Sequence, residues 1–454
     1  MGTKQGMTAR LLTLTAALAL LASPLRAQDL IFPPGAGGLS WDSHAAFALA
    51  HDLRGQRLTI FGPWRGEDQR LFETVLDYFR AATGAEVIYA TSESHERQIV
   101  IDAEAGSPPD VAIVAQPGLI ADLVARGHVQ PLPADTRTWI AQNYGAGASW
   151  ADLSTHVGPD GQPALYAFPY KAEVKSLVWY VPETFADAGL AVPQTLQDLR
   201  ALTTRIAAGG ETPWCIGLGS GGATGWPATD WVEDLLLRRQ PVAVYDQWVR
   251  HEIPFDHPAV VSAIEEFGWF ARTPGHVAGG AAAVAATDFR DSPAGLFASP
   301  PGCYLHRAPS FIASHFPAGV EIGTDVDFFA FPSDPGMGAD RPVLGSGTFA
   351  LVMRDGPAAR AFIAFLQTPL AHEVWMAQTG FLTPFRAVNA SVYGSDTLRR
   401  QGAILAEAGT FRFDGSDLMP GAVGAGRFWT AMVDFVGGQS AAEAAAAVEA
   451  GWPE

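Results

Sequence analysis

The chain has 454 residues, 48% of them hydrophobic and 17% charged, with a formal charge of −18 at pH 7. That length is too great for one core and predicts two or three domains, while the acidic balance repels phosphate backbones and excludes nucleic acid as a partner. Only two cysteines occur, Cys215 and Cys303; in an exported chain they read as one disulfide closing a loop of about 90 residues, or as two buried thiols.

The first residues carry an address. Lys4 and Arg10 give a basic start, residues 11–22 form an apolar run, Pro24 breaks it, and Ala27 leads into the polar Gln28. This pattern describes a secretory signal peptide over residues 1–27. The run is shorter than the roughly 20 residues that span a bilayer, and no cysteine follows it. The expectation is a secreted chain without a lipid anchor, in a Gram-negative periplasm.

A short helix is expected over residues 43–52, then a strand over 58–61 followed by the loop Gly62-Pro63-Trp64-Arg65-Gly66. Leu71, Phe72, Val75, Leu76 and Phe79 share one face at helical spacing over 68–82, and Gly84 stops that helix. Strands at 87–89 and 110–114 alternate with helices at 94–104 and 117–126. Such alternation predicts a doubly wound α/β domain with a parallel sheet, which binds ligands beside the loops after its strands. A second run of α/β signals begins near Leu177, with Thr195 and Asp198 as a capping box for a helix to Ala208. Further helices are expected from Asp230 and Val260, a strand over 328–331, helices at 358–366 and 371–377, and a last helix over 440–450.

No catalytic motif survives inspection. Residues 217–222 match G-x-G-x-x-G, but the context is a flexible loop with Pro227 soon after it. His372-Glu373 opens a metalloprotease-like string in which Met376 stands where the second histidine belongs. There is no phosphate-binding loop and no G-x-S-x-G elbow, so neither a cofactor nor a metal is expected. The 13 tryptophans offer more. Trp64, Trp226 and Trp429 sit beside glycine, proline or charged residues rather than inside apolar runs. A pyranose has an apolar face and a polar rim, so it is gripped by aromatic plates flanked by charged hydrogen-bonding groups. Arg65, Glu67 and Asp68 stand near Trp64, and Asp230 near Trp226. Trp179 and Trp269 lie in apolar surroundings and are left to the core.

Several ordered strings carry a resemblance. They are 58–64, 107–111, Ala167-Phe168-Pro169-Tyr170 through Glu173, 189–195, Gly225-Trp226-Pro227-Ala228-Thr229-Asp230 and Pro301-Gly302-Cys303-Tyr304-Leu305-His306-Arg307. Together the chain resembles the sugar-binding subunits of ABC importers, the maltose-binding-like family, and its periplasmic α-glucoside-binding branch. The resemblance implies an α/β, two-lobed periplasmic-binding-protein fold with interleaved lobes and a cleft between them. It places lobe 1 at 28–170 and 345–392, lobe 2 at 171–344 and 393–454, and crossings near 169–173, 344–348 and 389–395. It implies ligand contacts from Trp64, Arg65, Glu173 and Trp429. Gln116 stands where some relatives carry an acidic residue, Tyr304 where relatives stack an aromatic ring, and Ser346 in a glycine-flanked hinge turn. Arg307, Glu67, Asp68, Trp226 and Asp230 complete the expected set.

The implied mechanism is capture of a sugar by hinge closure and delivery to permease subunits in the inner membrane, by a monomer that breaks no bond. Two readings compete. A periplasmic glycoside hydrolase would need two carboxylates across the sugar, for which Glu67 with Asp230 is a candidate pair. The same fold could instead hold a polyamine, through several carboxylates, or an organic anion, through paired arginines.

Overall fold

The computed structural model describes residues 30–92, 94–334 and 342–453, so the signal-peptide expectation for 1–27 lies outside the described residues. Among them, no helix is long and apolar enough to cross a membrane.

The first half folds as its periodicity predicts. Strands β1 (Arg57–Gly62), β2 (Glu86–Thr91) and β3 (Val111–Val114) are parallel, with Leu58 opposite Val87 and Ile60 opposite Val111. The helix Gly66–Thr83 buries Leu71, Phe72, Val75, Leu76 and Phe79 against them, and Gly84 ends it at φ 73°, its N–H bonded to the Arg80 carbonyl at 2.8 Å. A two-stranded hairpin follows, β4 (Thr155–Val157) with β5 (Pro163–Leu165). Then β6 (Ala167–Val174) runs toward the second half of the molecule, where β7 (Leu177–Tyr180) begins.

That second half differs from the expected α/β pattern. Its sheet has three short antiparallel strands, with β7 between β8 (His306–Arg307) and β9 (Asp327–Ala330). Helices form most of its core, which gathers Trp214, Trp231, Phe267 and Phe270. The Leu196–Ala208 helix opens on the predicted capping box: Asp198 N–H donates to Thr195 Oγ1 at 3.0 Å and Thr195 N–H to Asp198 Oδ2 at 3.1 Å. Cys215 and Cys303 are joined as a disulfide, with Cα atoms 5.5 Å apart.

The chain then returns through β10 (Val343–Val352), antiparallel to β3 on one side and to β6 on the other. The first sheet is therefore mixed rather than all parallel, because β10 arrives from the second half and runs against β3. The third crossing also falls elsewhere than 389–395. The Asp396–Ala406 helix packs with the first core through Leu405, and β11 (Phe411–Phe413) pairs with β10 in the first sheet, so the chain leaves that lobe only after Phe413. The three crossings meet closely. Lys175 N–H donates to the Leu344 carbonyl at 2.8 Å, Leu344 N–H to Ser176 Oγ at 3.1 Å, and the Lys175 ammonium binds Asp414. The α/β fold has two lobes with strands passing between them, and the cleft lies beside those strands.

Candidate functional site

Two adjoining cavities open between the lobes. The inner one, about 350 Å³, is lined by Trp64, Lys171, Glu173, Lys175, Trp226, Phe311, Ser346, Thr348, Asp414, Asp417 and Trp429, among others. The outer one, about 630 Å³, shares Lys171, Glu173 and Phe311 with it and continues past Arg65, Glu67 and Asp68. A groove of about 850 Å³ flanks the Asp414–Leu418 turn and is lined by Tyr245, Asp246, Phe411, Arg412 and Trp452. The inner cavity is the better binding site, because there the aromatic rings converge with polar atoms that lack partners.

Each plate has a local cause. Trp64 follows β1, and the Tyr89 hydroxyl fixes its backbone, accepting from its N–H at 2.9 Å and donating to its carbonyl at 3.0 Å. The ring is only 6% exposed, packed 4.5 Å from Phe72 and 5.0 Å from Trp375, so it is core as much as plate. Trp226 begins the Trp226–Arg239 helix after Gly225, whose φ is 113°. A Cβ on Gly225 would collide with the Trp429 backbone; glycine there lets the two tryptophans approach. Trp429 follows a π-helical segment, Ala422–Phe428, of the kind that often marks functional sites.

Charges line the floor. Lys171 and Glu173 form an ion pair, and the Ser310 hydroxyl donates to Glu173. Lys175 bonds Asp230 at 2.9 Å as well as Asp414, and its ammonium lies 5.5 Å from the Trp226 ring centre. Burial works against both partners. It raises Asp230 to about 6 despite Lys175, whereas Lys175 overcomes it at Asp414 and holds that carboxyl at about 2. Burial and the neighbouring Asp414 push Asp417 well above the usual carboxylate range. Asp230, Glu233 and Asp414 present oxygens within 4.8 Å of one another. Lys175 already stands among them, and Glu233 accepts Gly415 N–H at 2.9 Å and Ser416 N–H at 3.0 Å, so this cluster is compensated from within the chain. Two polar atoms are not: the Thr348 hydroxyl and Trp429 Nε1 are buried without a hydrogen-bond partner, and both residues line the inner cavity.

Trp64, Glu173, Trp226, Ser346 and Trp429 thus meet in the inner cavity, with Arg65, Glu67 and Asp68 in the outer one. Glu67 is already paired with Arg70 at 2.5 Å, and burial raises Asp68 although Lys171 opposes it. Four expected residues do not line either cavity. Asp230 and Arg307 are fully buried behind the wall, 3.4 Å apart, and Arg307 also bonds Asp234 at 3.0 Å; they hold the wall rather than face the cleft. Gln116 stands at the N-cap position of the Pro117–Ala125 helix without a side-chain capping bond, while its neighbour Ala115 lines the cavity. Tyr304 bonds through its N–H to the Pro213 carbonyl at 3.3 Å, away from the cleft, and Phe311 is the aromatic of that stretch that lines it. Lys171, Lys175, Phe311, Thr348, Asp414 and Asp417 were not foreseen. For the first two a signal existed: Lys171, Glu173 and Lys175 alternate, so they share a face of β6 and its extension.

A cleft between two lobes, with crossing strands at its floor, is the architecture of a two-lobed solute-binding protein. Residues 65–372 match the model of the bacterial extracellular solute-binding protein family, and the chain belongs to that family. It is 62% identical to the alpha-glucosides-binding periplasmic protein AglE of Rhizobium meliloti (strain 1021), across 98% of this chain and 99% of that one. It is 39% identical to the osmoprotective compounds-binding protein GgtB of Synechocystis, across 88% and 93%. Among solved structures, the bacterial solute receptor AcbH superposes with a TM-score of 0.69 at 18% identity, covering 87% of this chain and 98% of that one. RafE from Streptococcus pneumoniae gives 0.66 at 14%, covering 87% and 96%. These likenesses fix the two-lobed fold. The family is one of binding proteins, and this chain is a binding protein rather than an enzyme.

Proposed function

We propose that the chain is the periplasmic sugar-binding subunit of an ABC importer, capturing α-glucosides of the sucrose, maltose and trehalose class. Residues 1–27 would direct its export, without a lipid anchor, and the mature monomer would deliver its sugar to permease subunits in the inner membrane. The observation that carries this reading is the inner cavity, where Trp226 and Trp429 stand with the Lys171–Glu173 pair and two buried unpaired donors, Thr348 and Trp429 Nε1. Plates suit a pyranose face, and the donors suit its hydroxyls. The extent of the relation to the α-glucosides-binding protein AglE supports the choice of sugar. The lobes in this reading are residues 30–170 with 345–413, and 171–344 with 414–453. Sugar binds the open form, the lobes rotate about the crossings, and the closed shape is what the permease reads.

The competing ligands fit less well. A polyamine needs several free carboxylates, whereas of the three that line the inner cavity Glu173 and Asp414 are paired with Lys171 and Lys175, which leaves Asp417. An organic anion needs arginines, and the inner cavity is lined by none among the described residues. The hydrolase pair Glu67 and Asp230 does not face one space, since Asp230 is enclosed between Lys175 and Arg307. A melting screen of the mature chain against about twenty sugars and polyols tests the reading: α-glucosides are expected to raise the midpoint. A rise confined to small polyols would count against the α-glucoside assignment.

A further inference from the structure

The crossings gather a tight group of charges at the floor of the inner cavity. Among the described residues it holds five carboxyls, Asp230, Glu233, Asp234, Asp414 and Asp417, and three cations, Lys175, Arg238 and Arg307. Three of the carboxyls take all three cations. Lys175 bonds Asp230 at 2.9 Å and also Asp414. Arg307 lies 3.4 Å from Asp230 and 3.0 Å from Asp234, and Arg238 lies 3.0 Å from Asp234. Glu233 and Asp417 are left over. Glu233 has backbone support, accepting Gly415 N–H at 2.9 Å and Ser416 N–H at 3.0 Å. The Asp417 carboxyl has no hydrogen bond or ion pair among the described residues; only its backbone is engaged, its N–H donating to Asp414 Oδ1 at 3.2 Å.

Asp417 is half-buried and lines the inner cavity together with Trp226 and Trp429. Around it stand Asp414 on its own turn, Lys175 from the first crossing, Asp230 from the Trp226–Arg239 helix and Glu96 from the His95–Glu104 helix. The other charges nearby are engaged elsewhere. Arg412 of β11 is held by Asp246, Arg427 of the π-helical segment lies beside Gly451, and Lys171 is paired with Glu173. None of these cations is free for Asp417, and three carboxyls surround it. An ionised carboxylate there would lose hydration and meet like charge; a retained proton removes both penalties. In keeping with this, burial, and Asp414 after it, raise the Asp417 carboxyl well above its usual range.

We infer that Asp417 is a specificity-determining residue of the inner cavity, which meets the sugar as a neutral carboxylic acid and donates its O–H to a sugar hydroxyl. The inference rests on the α-glucoside reading and adds to it the charge state of the site. A carboxylate only accepts, whereas a neutral acid donates as well, so it can bond a hydroxyl in either direction. With Asp417 protonated, and Glu173 and Asp414 paired, the cavity lining presents no free anion among the described residues. It therefore favours an uncharged polyhydroxyl ligand over a cation such as a polyamine.

Asp417→Asn separates the two charge states, since a carboxamide keeps a donor and an acceptor but carries no charge. At neutral pH, the infrared difference spectrum of wild type minus this variant is expected to show the C=O stretch of a protonated carboxyl. A carboxylate band in its place would overturn the inference. Calorimetric titration with the α-glucoside that the wild type binds best gives the second readout. The asparagine variant is expected to bind within about twofold of the wild type, and Asp417→Leu about fivefold more weakly. An asparagine variant weakened as much as the leucine variant would make Asp417 an ionised acceptor, and a leucine variant of wild-type affinity would remove it from the contact; either result overturns the inference. Should the leucine variant fold poorly, Asp417→Ala is read in the same way. If no glucoside binds the wild type, the α-glucoside reading fails and the inference with it, whereas a glucoside that binds beside a carboxylate band fails the inference alone.

Discussion

Arg412 on β11 and Asp246 on the Val242–Val249 helix form a two-pronged ion pair, Nε to Oδ1 at 2.5 Å and Nη2 to Oδ2 at 2.8 Å. One partner belongs to the first sheet and the other to the helical lobe, so the pair fastens the lobes together just before the third crossing. Both side chains are 25% exposed, which places the pair between a surface bridge and a buried one. Paired guanidinium and carboxylate forks are stronger than single contacts, but solvent screens this one. Asp246→Asn is expected to lower the unfolding free energy by about 1 kcal/mol, read by urea denaturation. A double-mutant cycle with Arg412→Met should return a coupling of the same size, and a coupling near zero would make the pair incidental.

The tryptophan at the end of the π-helical segment separates ring from donor. Trp429→Phe retains an aromatic face but deletes the buried, unpaired Nε1–H. If that N–H meets a sugar hydroxyl, affinity should fall by about 1 kcal/mol, roughly fivefold. Trp226→Ala, which removes a plate, should cost about 1–3 kcal/mol. Calorimetric titration of both variants checks this, with circular dichroism to show an intact fold; an unchanged affinity for Trp429→Phe would mean the N–H faces no ligand.

Acid stability should depend on His372. The ring is fully buried, with Nδ1 2.9 Å from Thr383 Oγ1 and Nε2 2.8 Å from the Leu366 carbonyl, and burial lowers it to about 4. Between that value and the unfolded value of about 6.5, the unfolded chain binds the proton and the folded chain does not. Stability is therefore complete above about pH 6.5 and is lost as pH falls through the window. From pH 7 to pH 5 the loss from this group is about 2 kcal/mol, and His372→Gln should be spared it. The raised Asp230 acts with the opposite sign, but it is common to both proteins and cancels in the comparison. Urea midpoints of both chains at pH 7 and pH 5 decide the matter; parallel losses would contradict it.

The Cys215–Cys303 disulfide spans 88 residues and lies beside the isolated parallel bridge between Trp214 and Leu305. Replacing both cysteines by alanine should lower stability by roughly 2–4 kcal/mol. Denaturation with and without reductant measures it, and a reduced chain as stable as the oxidised one would assign the bond no structural role.

Much of the first lobe was legible in the sequence because its helices and strands carry clean periodicity. The Gly66–Thr83 stripe and its Gly84 stop are local features, and local features survive folding. The crossing at β11 was not legible, since Phe411-Arg412-Phe413 is a three-residue strand that pairs with β10 far away in sequence. The cleft was half legible for a related reason. Loop tryptophans announced themselves, but a charge near a tryptophan in sequence can face the cleft or hide behind it. Asp230 and Arg307 neutralise each other in the wall, while Asp414 and Lys175 form the floor from segments 239 positions apart. Only the three-dimensional meeting of the crossings separates the two cases.

The most direct test of the account is calorimetric titration of the mature, folded chain with sucrose, maltose and trehalose. Saturable binding of at least one of them is expected at one site per chain, abolished when Trp226 and Trp429 are both replaced by alanine. Heat from none of the three, with saturable binding of a polyamine or an organic anion instead, would contradict it.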